Sequence, residues 1–582
     1  MYRGVMGRKP RPTSAVHVVT NRRQGKHREY VTHLLRRSWR EGGKVRNETV
    51  GNLSHLPDEV VELVRAALKG ERFVAFDERF AIERSLPAGH VEAALLMARR
   101  LELARLLDRS PSRERQLALA LIVSRVIAPR SKLATARSLG QSTLATELAV
   151  EGADEDELYL AMDWLLARQE RIEGALARRH LEEGTPVLYD VSSSYFEGRT
   201  CPLARLGYSR DRKPGTPQIV YGLLTDRRGR PVAVEVFEGS LHDDKTLPAQ
   251  IEKLSKRFGL ESVIVVSDRG MVTKANLERL RATDGAAWIT ALKAPQVKKL
   301  VTGGHLQLSL FDEQNLVEIA SEDYPDERLV VCRNPLVAAE RSRKREQLLA
   351  ATERALSEIA GRVERGTLTG EAQIGLAVGA VWNRWRVRKH FQVEITDTSL
   401  AYRRKREQIA AETALDGIYV LRTSVPGSQL QAPEVVRAYK QLKEVERAFR
   451  TIKGPLELRP IHHHLEDRVR AHVFLCMLAY YLAWHLREAW AELIFKDEQP
   501  PTQADPVAKA SRSAAATRKT QTKRTTDGER CHSLATLIIE LSTRTRNTIR
   551  VPGTGARFEQ LTEPTPTQAR ALELIHTYPL KK

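Results

Sequence analysis

Only four cysteines occur in the 582 residues, Cys201, Cys332, Cys476 and Cys531, and no two form a CxxC pair. That excludes a zinc ribbon and a disulfide framework, and it fits a reducing compartment, so a cytoplasmic setting is expected. The first ten residues have no apolar core, so no secretory signal is expected. The longest uncharged apolar run, Val473 to Trp484, is too short to span a bilayer and reads as a buried helix. Neither a lipid-anchor motif nor a basic amphipathic helix is present, so no membrane partner is expected. GxxxxGK[ST] is absent, so ATP is not implied, and Gly303-Gly304 reads as a plain turn. No convincing Ser/His/Asp or Cys/His set offers a covalent nucleophile. Acidic residues are also short: 73 Asp and Glu face 94 Lys and Arg, a formal charge of +21. An excess of that size calls for a polyanion, and nucleic acid fits because each neutralised phosphate releases a counterion.

The length calls for several domains. Residues 1–58 read as a basic N-terminal arm, for DNA contact or dimerisation, with short strands around Gly42-Gly43. Residues 59–183 carry apolar residues at helical spacing and read as a helical domain. At 184 the pattern becomes short β-branched runs. Strands are expected at 186–191, 218–225, 230–237, 262–267 and 286–292, with helices at 247–258 and 274–282. This order, β-β-β-α-β-α-β, predicts an α/β fold: an RNase H-like mixed sheet with helices on both faces, its first three strands antiparallel. Residues 184–294 form the first part of that core. Residues 295–410 interrupt it as an inserted subdomain, with strands expected at 305–310, 329–333 and 389–395 and a helix at 338–365. Residues 411–495 resume the core, with one helix expected over 433–453 and another over 466–493. Residues 496–530, rich in Thr, Ala, Ser, Lys and Arg, read as a disordered basic linker, and 531–582 as a C-terminal segment.

Three carboxylates stand out. Asp190 sits in an apolar strand, Tyr189-Asp190-Val191-Ser192-Ser193, where a charge is costly unless it is paired or bound to metal. It could equally cap the serine-rich turn. Asp268 follows the apolar run Val263-Ile-Val-Val-Ser267, at the strand end where open α/β sheets place their sites, or else it is a helix N-cap. Glu446 shares a helical face with Tyr439, Leu442 and Lys453 by spacing, although an ordinary pair with Arg450 gives the same pattern. His462-His463-His464 lacks an acid or cysteine partner and reads as solvent-exposed or phosphate-contacting rather than zinc-binding. Trp382 and Trp385, set among Arg384, Arg386, Arg388 and Lys389, either stack on a base or pack the inserted subdomain.

Taken in order, Asp190, Asp268, Asp416-Gly-x-Tyr-x-Leu-x-Thr423 and Tyr439…Glu446…Lys453 resemble the insertion-sequence-four superfamily of DDE transposases. Gly239, Asp243 and Thr246 resemble a further segment of that family, with Ser240 where an Asn is usual. The resemblance runs from about 184 to 485. It implies Asp190, Asp268 and Glu446 as catalytic ligands of two Mg²⁺ ions, with Mn²⁺ able to substitute. Tyr439 and Lys453 would contact phosphates. Leu442 stands where the family has an Arg, which turns attention to Lys443 and Arg447, and Arg447 and Arg450 join the candidate DNA contacts. Trp382 and Trp385 would meet a flipped base. The implied protein is a homodimer that binds terminal inverted repeats and target DNA in a synaptic complex, cleaving and joining strands. Two other readings are a domesticated DNA-binding repressor without catalysis and a simple RNase H-like nuclease.

Overall fold

The computed structural model describes residues 15–25, 29–71, 81–311, 314–551 and 556–580. They fall into two units. One comprises the described residues of 1–84 with 547–560, and the other those of 85–546 with 561–582. In the first unit β1 (Ala15–Gln24), β2 (Glu29–Glu41) and β3 (Lys44–Asn52) form an antiparallel sheet in that order. Gly42 and Gly43, at φ of 57° and 78°, make the two-residue turn that sets Glu41 opposite Lys44. Both positions need left-handed backbone, which glycine adopts without steric cost. Helix Asp58–Leu68 packs on one face of this sheet, where His33 Nε2 meets Asp58 Oδ1 at 3.0 Å. The described part of the basic stretch expected as an arm, 15–25 and 29–58, is therefore a folded sheet with the start of a helix; residues 1–14 and 26–28 lie outside the described residues, and the unit runs on to 84. Much of β4 (Ala81–Pro87) also lies here.

In the second unit helix Glu466–Ala489 is the spine, with 18 buried residues. It is long and apolar enough to cross a membrane, yet 94% of its apolar window is buried in the protein. Helices Gly89–Arg100, Arg113–Ile127 and Glu155–Leu166 pack around it. Ser112 and Asp154 cap two of them by accepting from the backbone N–H groups of Arg115 and Glu157. Helix Leu534–Ser542 closes on Gly89, where a Cβ would stand 2.4 Å from the Leu541 carbonyl oxygen. The expected helical domain thus shares one core with the C-terminal helices.

The large sheet holds β5 (Pro186–Tyr195), β6 (Gln218–Thr225), β7 (Pro231–Glu238), β8 (Val263–Ser267), β9 (Ala286–Ala291), β10 (Leu316–Ile319) and β11 (Arg328–Arg333). A hairpin, β12 (Phe391–Ile395) and β13 (Leu400–Arg404), stands apart from it, and β14 (Ile418–Thr423) returns to it. The strand order is β10-β11-β14-β9-β8-β5-β6-β7. β5, β6 and β7 are antiparallel, and β8 runs parallel to both β5 and β9. β14 lies antiparallel to β9 and β11. β15 (Thr545–Arg550) and β16 (Arg557–Leu561) join β4 in a separate three-stranded sheet.

Four expectations need correction. Residues 305–310 hold no strand; a short 3-10 turn, Leu308–Phe311, lies there because Leu306 and Phe311 fold back into the core beside β11. β10 and β11 extend the main sheet, so the insertion narrows to the helices Pro335–Glu364, Glu371–Trp385 and Arg406–Thr413 with the β12–β13 hairpin, built on its own core of Leu349, Leu356, Ile374 and Val378. The single helix expected over 433–453 is two, Ala432–Lys440 and Leu442–Lys453, broken at Gln441. The expected disordered linker is ordered. Helix Ala514–Thr522 forms behind its Ser513 cap, Val507 is fully buried, and Lys440 donates to the carbonyls of Pro506, Val507 and Ala508 at 2.6–2.9 Å. Side chains from elsewhere satisfy this polar backbone, which composition does not reveal.

Candidate active site

Asp190 is the fifth residue of β5, opposite Leu223 on β6. Its carboxylate accepts from the Val191 N–H at 2.8 Å. Burial, reinforced by the negative charges of Asp268 and Glu446, pushes it up to about 7 against the Val191 amide and Arg210. It therefore responds to both of the other carboxylates. Asp268 directly follows β8 and is exposed. The helix it was placed to cap begins later, at Lys274, and Thr273 caps it. Asp268 Oδ1 instead accepts from the Arg269 N–H at 2.8 Å and from the Tyr439 hydroxyl at 3.4 Å. Burial, and then the Asp268 charge, raises the Tyr439 phenol above its ordinary value. Glu446 is exposed on helix Leu442–Lys453 and forms no ion pair with Arg450 among the described residues.

Asp190, Asp268 and Glu446 line one cavity of about 390 Å³, with Tyr439, Leu442 and Lys443. The break at Gln441 places Tyr439 and Glu446 on separate helices that still face this space. All three acidic side chains offer hard oxygen donors, the kind a divalent magnesium-like cation takes, and Asp190 would shed its charge repulsion against such an ion. In kind the donors fit a metal. In spacing they are open: among the described residues no three Asp, Glu, His or Cys side chains come close enough to hold one.

The remaining candidates divide. Lys443 lines the cavity, whereas Arg447 pairs with Glu444 at 2.5 Å and lines a different one with Arg228 and Arg487. Arg450 is exposed and absent from the carboxylate cavity. Lys453 is turned to the end of β5, where it donates to the Ser193 carbonyl and meets Asp211 at 3.1 Å, with Arg459 on the same carboxylate. Trp382 and Trp385 pack on the core of the inserted subdomain, Trp382 against Phe391 with ring centroids 5.7 Å apart. Asp416 is structural, binding Arg345 at 2.6 Å. Gly417, at φ 76°, has no room for a Cβ beside the Asn334 carbonyl. Gly239 is likewise closed in, by the Gln218 carbonyl. His464 bonds Thr200 at 3.1 Å and His463 packs on His472, and among the described residues the His run joins no group of metal-ligating side chains.

Sequence reasoning missed Arg341, which reaches the cavity from the inserted helix, and Arg210, which clamps Asp243 at 2.6 Å and acts on Asp190. Neither carries a sequence signal. Arg341 is one of many cations on a charged helix, and Arg210 sits in an irregular polar loop.

Residues 198–482 match a family model described as "Transposase DDE domain", and residues 16–78 match "IS1634 family transposase, N-terminal domain". The first match contains Asp268 and Glu446 and begins after Asp190. No curated protein matches the chain. Among solved structures, a cryo-EM structure of a piggyBac transposase synaptic complex with hairpin DNA aligns over 78% of this chain and 76% of that one, at 9% identity and a TM-score of 0.33. A likeness at that score carries no conclusion about this fold.

Proposed function

We propose, from the premise that this chain is a transposase with a DDE domain and an IS1634-family N-terminal domain, that it cuts the ends of its own insertion element and joins them to target DNA at the cavity of Asp190, Asp268 and Glu446. The observation that supports this most is that three carboxylates, far apart in the chain, line one cavity, with Asp190 raised by burial and, to a smaller extent, by the charges of the other two. The strand order β7-β6-β5-β8-β9, antiparallel then parallel, is in keeping with an RNase H-like core. The motifs at Gly239–Thr246, Asp416–Thr423 and Tyr439–Lys453 support a place in the insertion-sequence-four superfamily, beside the separately named N-terminal match.

Asp190, Asp268 and Glu446 would hold two Mg²⁺ ions, with Mn²⁺ able to substitute; such ions supply an activated water or 3′-hydroxyl and stabilise the leaving oxygen. Tyr439 donates to Asp268 and fixes the direction of that carboxylate. Lys443 and Arg341 offer charge to phosphate oxygens at the cavity, the role the family's usual Arg would take from position 442. Lys453 and Arg210 reach phosphates only by leaving Asp211 and Asp243. Terminal inverted repeats and target DNA are the partners, bridged by a homodimer, and the cytoplasm is the setting.

The open spacing of the carboxylates favours, as a second reading, a DNA-binding repressor without catalysis. Incubation with element-end DNA and Mg²⁺ separates the two. Specific nicking and joining are expected from the wild type and neither from Asp268→Ala. Nicking that survives in the variant removes Asp268 from the site, and a wild type that binds but never cuts is the repressor.

A further inference from the structure

We propose that the face of the β1–β3 sheet turned away from helix Asp58–Leu68 is a docking surface for duplex DNA, with Arg23, Arg36 and Arg40 as its phosphate contacts. This rests on the transposase reading and deepens it by giving DNA a second surface, in the N-terminal unit.

Strand register sorts the charges. Residues directly opposite in neighbouring strands share a face, and successive residues alternate. Thr20 is opposite His33, and both reach the helix: Arg65 donates to Thr20, and His33 meets Asp58. The helix side therefore also holds Arg22 opposite Val31, Arg37 opposite Glu48, and Arg46 opposite Trp39. The open side holds His17 opposite Arg36, Arg23 opposite Tyr30, Arg36 opposite Thr49, and Arg40 opposite Val45.

Acids and ion pairs follow the same division. Glu29, Glu41 and Glu48, the acids of these strands, all lie on the helix side by register. There each has its arginine: Arg22 with Glu29 at 3.9 Å, Arg37 with Glu48 at 4.0 Å, and Arg46 with Glu41 at 3.4 Å. Among the described residues Arg23, Arg36 and Arg40 have no ion pair, and no acid of the three strands shares their face. Asn21, Thr32, Ser38, Asn47 and Thr49 lie between the arginines on that face, together with His17, Val19, Tyr30, Leu34 and Val45. Arg36 and Arg40, four residues apart on one strand, span about 13 Å. Three guanidinium groups without an ion pair among the described residues, set among hydroxyl and amide donors, form a phosphate-facing surface, because such donors fix a protein on the backbone of a duplex. The two opposite faces, with equal numbers of strand arginines, thus differ electrostatically: one has its arginines paired with acids, and on the other they have no ion pair among the described residues.

The test uses the full chain and a duplex of its element-end sequence, with binding followed by fluorescence anisotropy over a NaCl series. One variant carries Arg23→Gln, Arg36→Gln and Arg40→Gln, and the other carries Arg22→Gln, Arg37→Gln and Arg46→Gln. The open-face variant is expected to lose about 1 from the salt slope per arginine, about 3 in all, and the helix-side variant less than 1. Thermal unfolding checks that both fold; should either triple fail to fold, Arg40→Gln against Arg46→Gln reads the same difference singly. Equal losses, or none from the open face, overturn the proposal. So does a changed oligomeric state with an unchanged salt slope, which makes the face a contact between copies. A wild type that binds no duplex at all fails the transposase reading instead.

Discussion

Asp190 is an acid on a buried strand, and it holds a proton up to about pH 7 because burial and two nearby carboxylates oppose its ionisation. Buried histidines carry the opposite sign. His180 donates to or accepts from the Tyr481 hydroxyl at 2.9 Å, His485 packs against Tyr481 and Trp484, and His472 lies between Lys132 and the Leu458 carbonyl. Burial, with neighbouring cations, lowers His180 and His463 to about 3 and His472 and His485 well below 6.5. Their folded values lie below the unfolded one, so the folded state binds fewer protons. Their stabilisation is complete above pH 6.5 and is lost as the pH falls from there toward 3. Each costs up to about 1.4 kcal/mol per pH unit in that window. Asp190 and Glu173, both raised, work the other way, while His90, His390 and His532, also lowered by burial, add to the histidine side. The urea midpoint is therefore expected to fall between pH 6.5 and 5, and Lys132, lowered by burial to about 7, keeps it from levelling off above that range. A midpoint that rises on acidification would contradict this balance.

At the scale of elements, the helix break at Gln441 and the segment around Val507 act together. Lys440 ends the Tyr439-bearing helix and spends all three ammonium protons on successive carbonyls of that segment. Asn334, the cap of the inserted helix, donates to the Val507 carbonyl as well. A chain stretch with little apolar surface of its own is thus held by polar bonds from two elements beside the carboxylate cavity. Lys440→Met leaves those carbonyls short of donors, at about 1–3 kcal/mol. Faster limited proteolysis between 499 and 513 is expected, with Lys443→Met as the unchanged control. Equal cleavage rates in both variants would show that the bonds do not hold the segment.

For the molecule as a whole, the inserted subdomain is detachable by topology. Arg333 ends β11 directly opposite Ile418, which begins β14, and the Asn334 N–H donates to the Gly417 carbonyl at 2.9 Å. Removing Pro335–Asp416 and joining Asn334 to Gly417 leaves an Asn-Gly pair between antiparallel strands, the preferred two-residue hairpin turn. The insertion keeps a core of its own, so the main sheet does not depend on it for packing. The shortened chain is expected to unfold in one cooperative transition with strand content retained. Cavity chemistry is expected to suffer, since Arg341 leaves with the insertion. An insoluble or molten product would show that the sheet needs the insertion.

The sequence by itself determined the order of strands from 186 to 291, the long inserted helix, the buried spine near 473–484 and the excess of positive charge. These are local: alternation, apolar runs and composition are written in neighbouring residues. It also offered Asp190, Asp268 and Glu446 as candidates, because an acid beside an apolar strand is costly and a motif in order is specific; the three line one cavity. Only tertiary structure decided that β10 and β11 belong to the main sheet and that the helix breaks at Gln441, where neither Pro nor Gly signals it. The same holds for the basic segment near 507, which is ordered, and for Arg341, which reaches the cavity while Arg447 does not. Each of those depends on a partner tens of residues or more away, up to 173 residues between Asn334 and Val507, or on which side of an element a charge faces. Such relations arise when the chain packs and are absent from any short window of sequence.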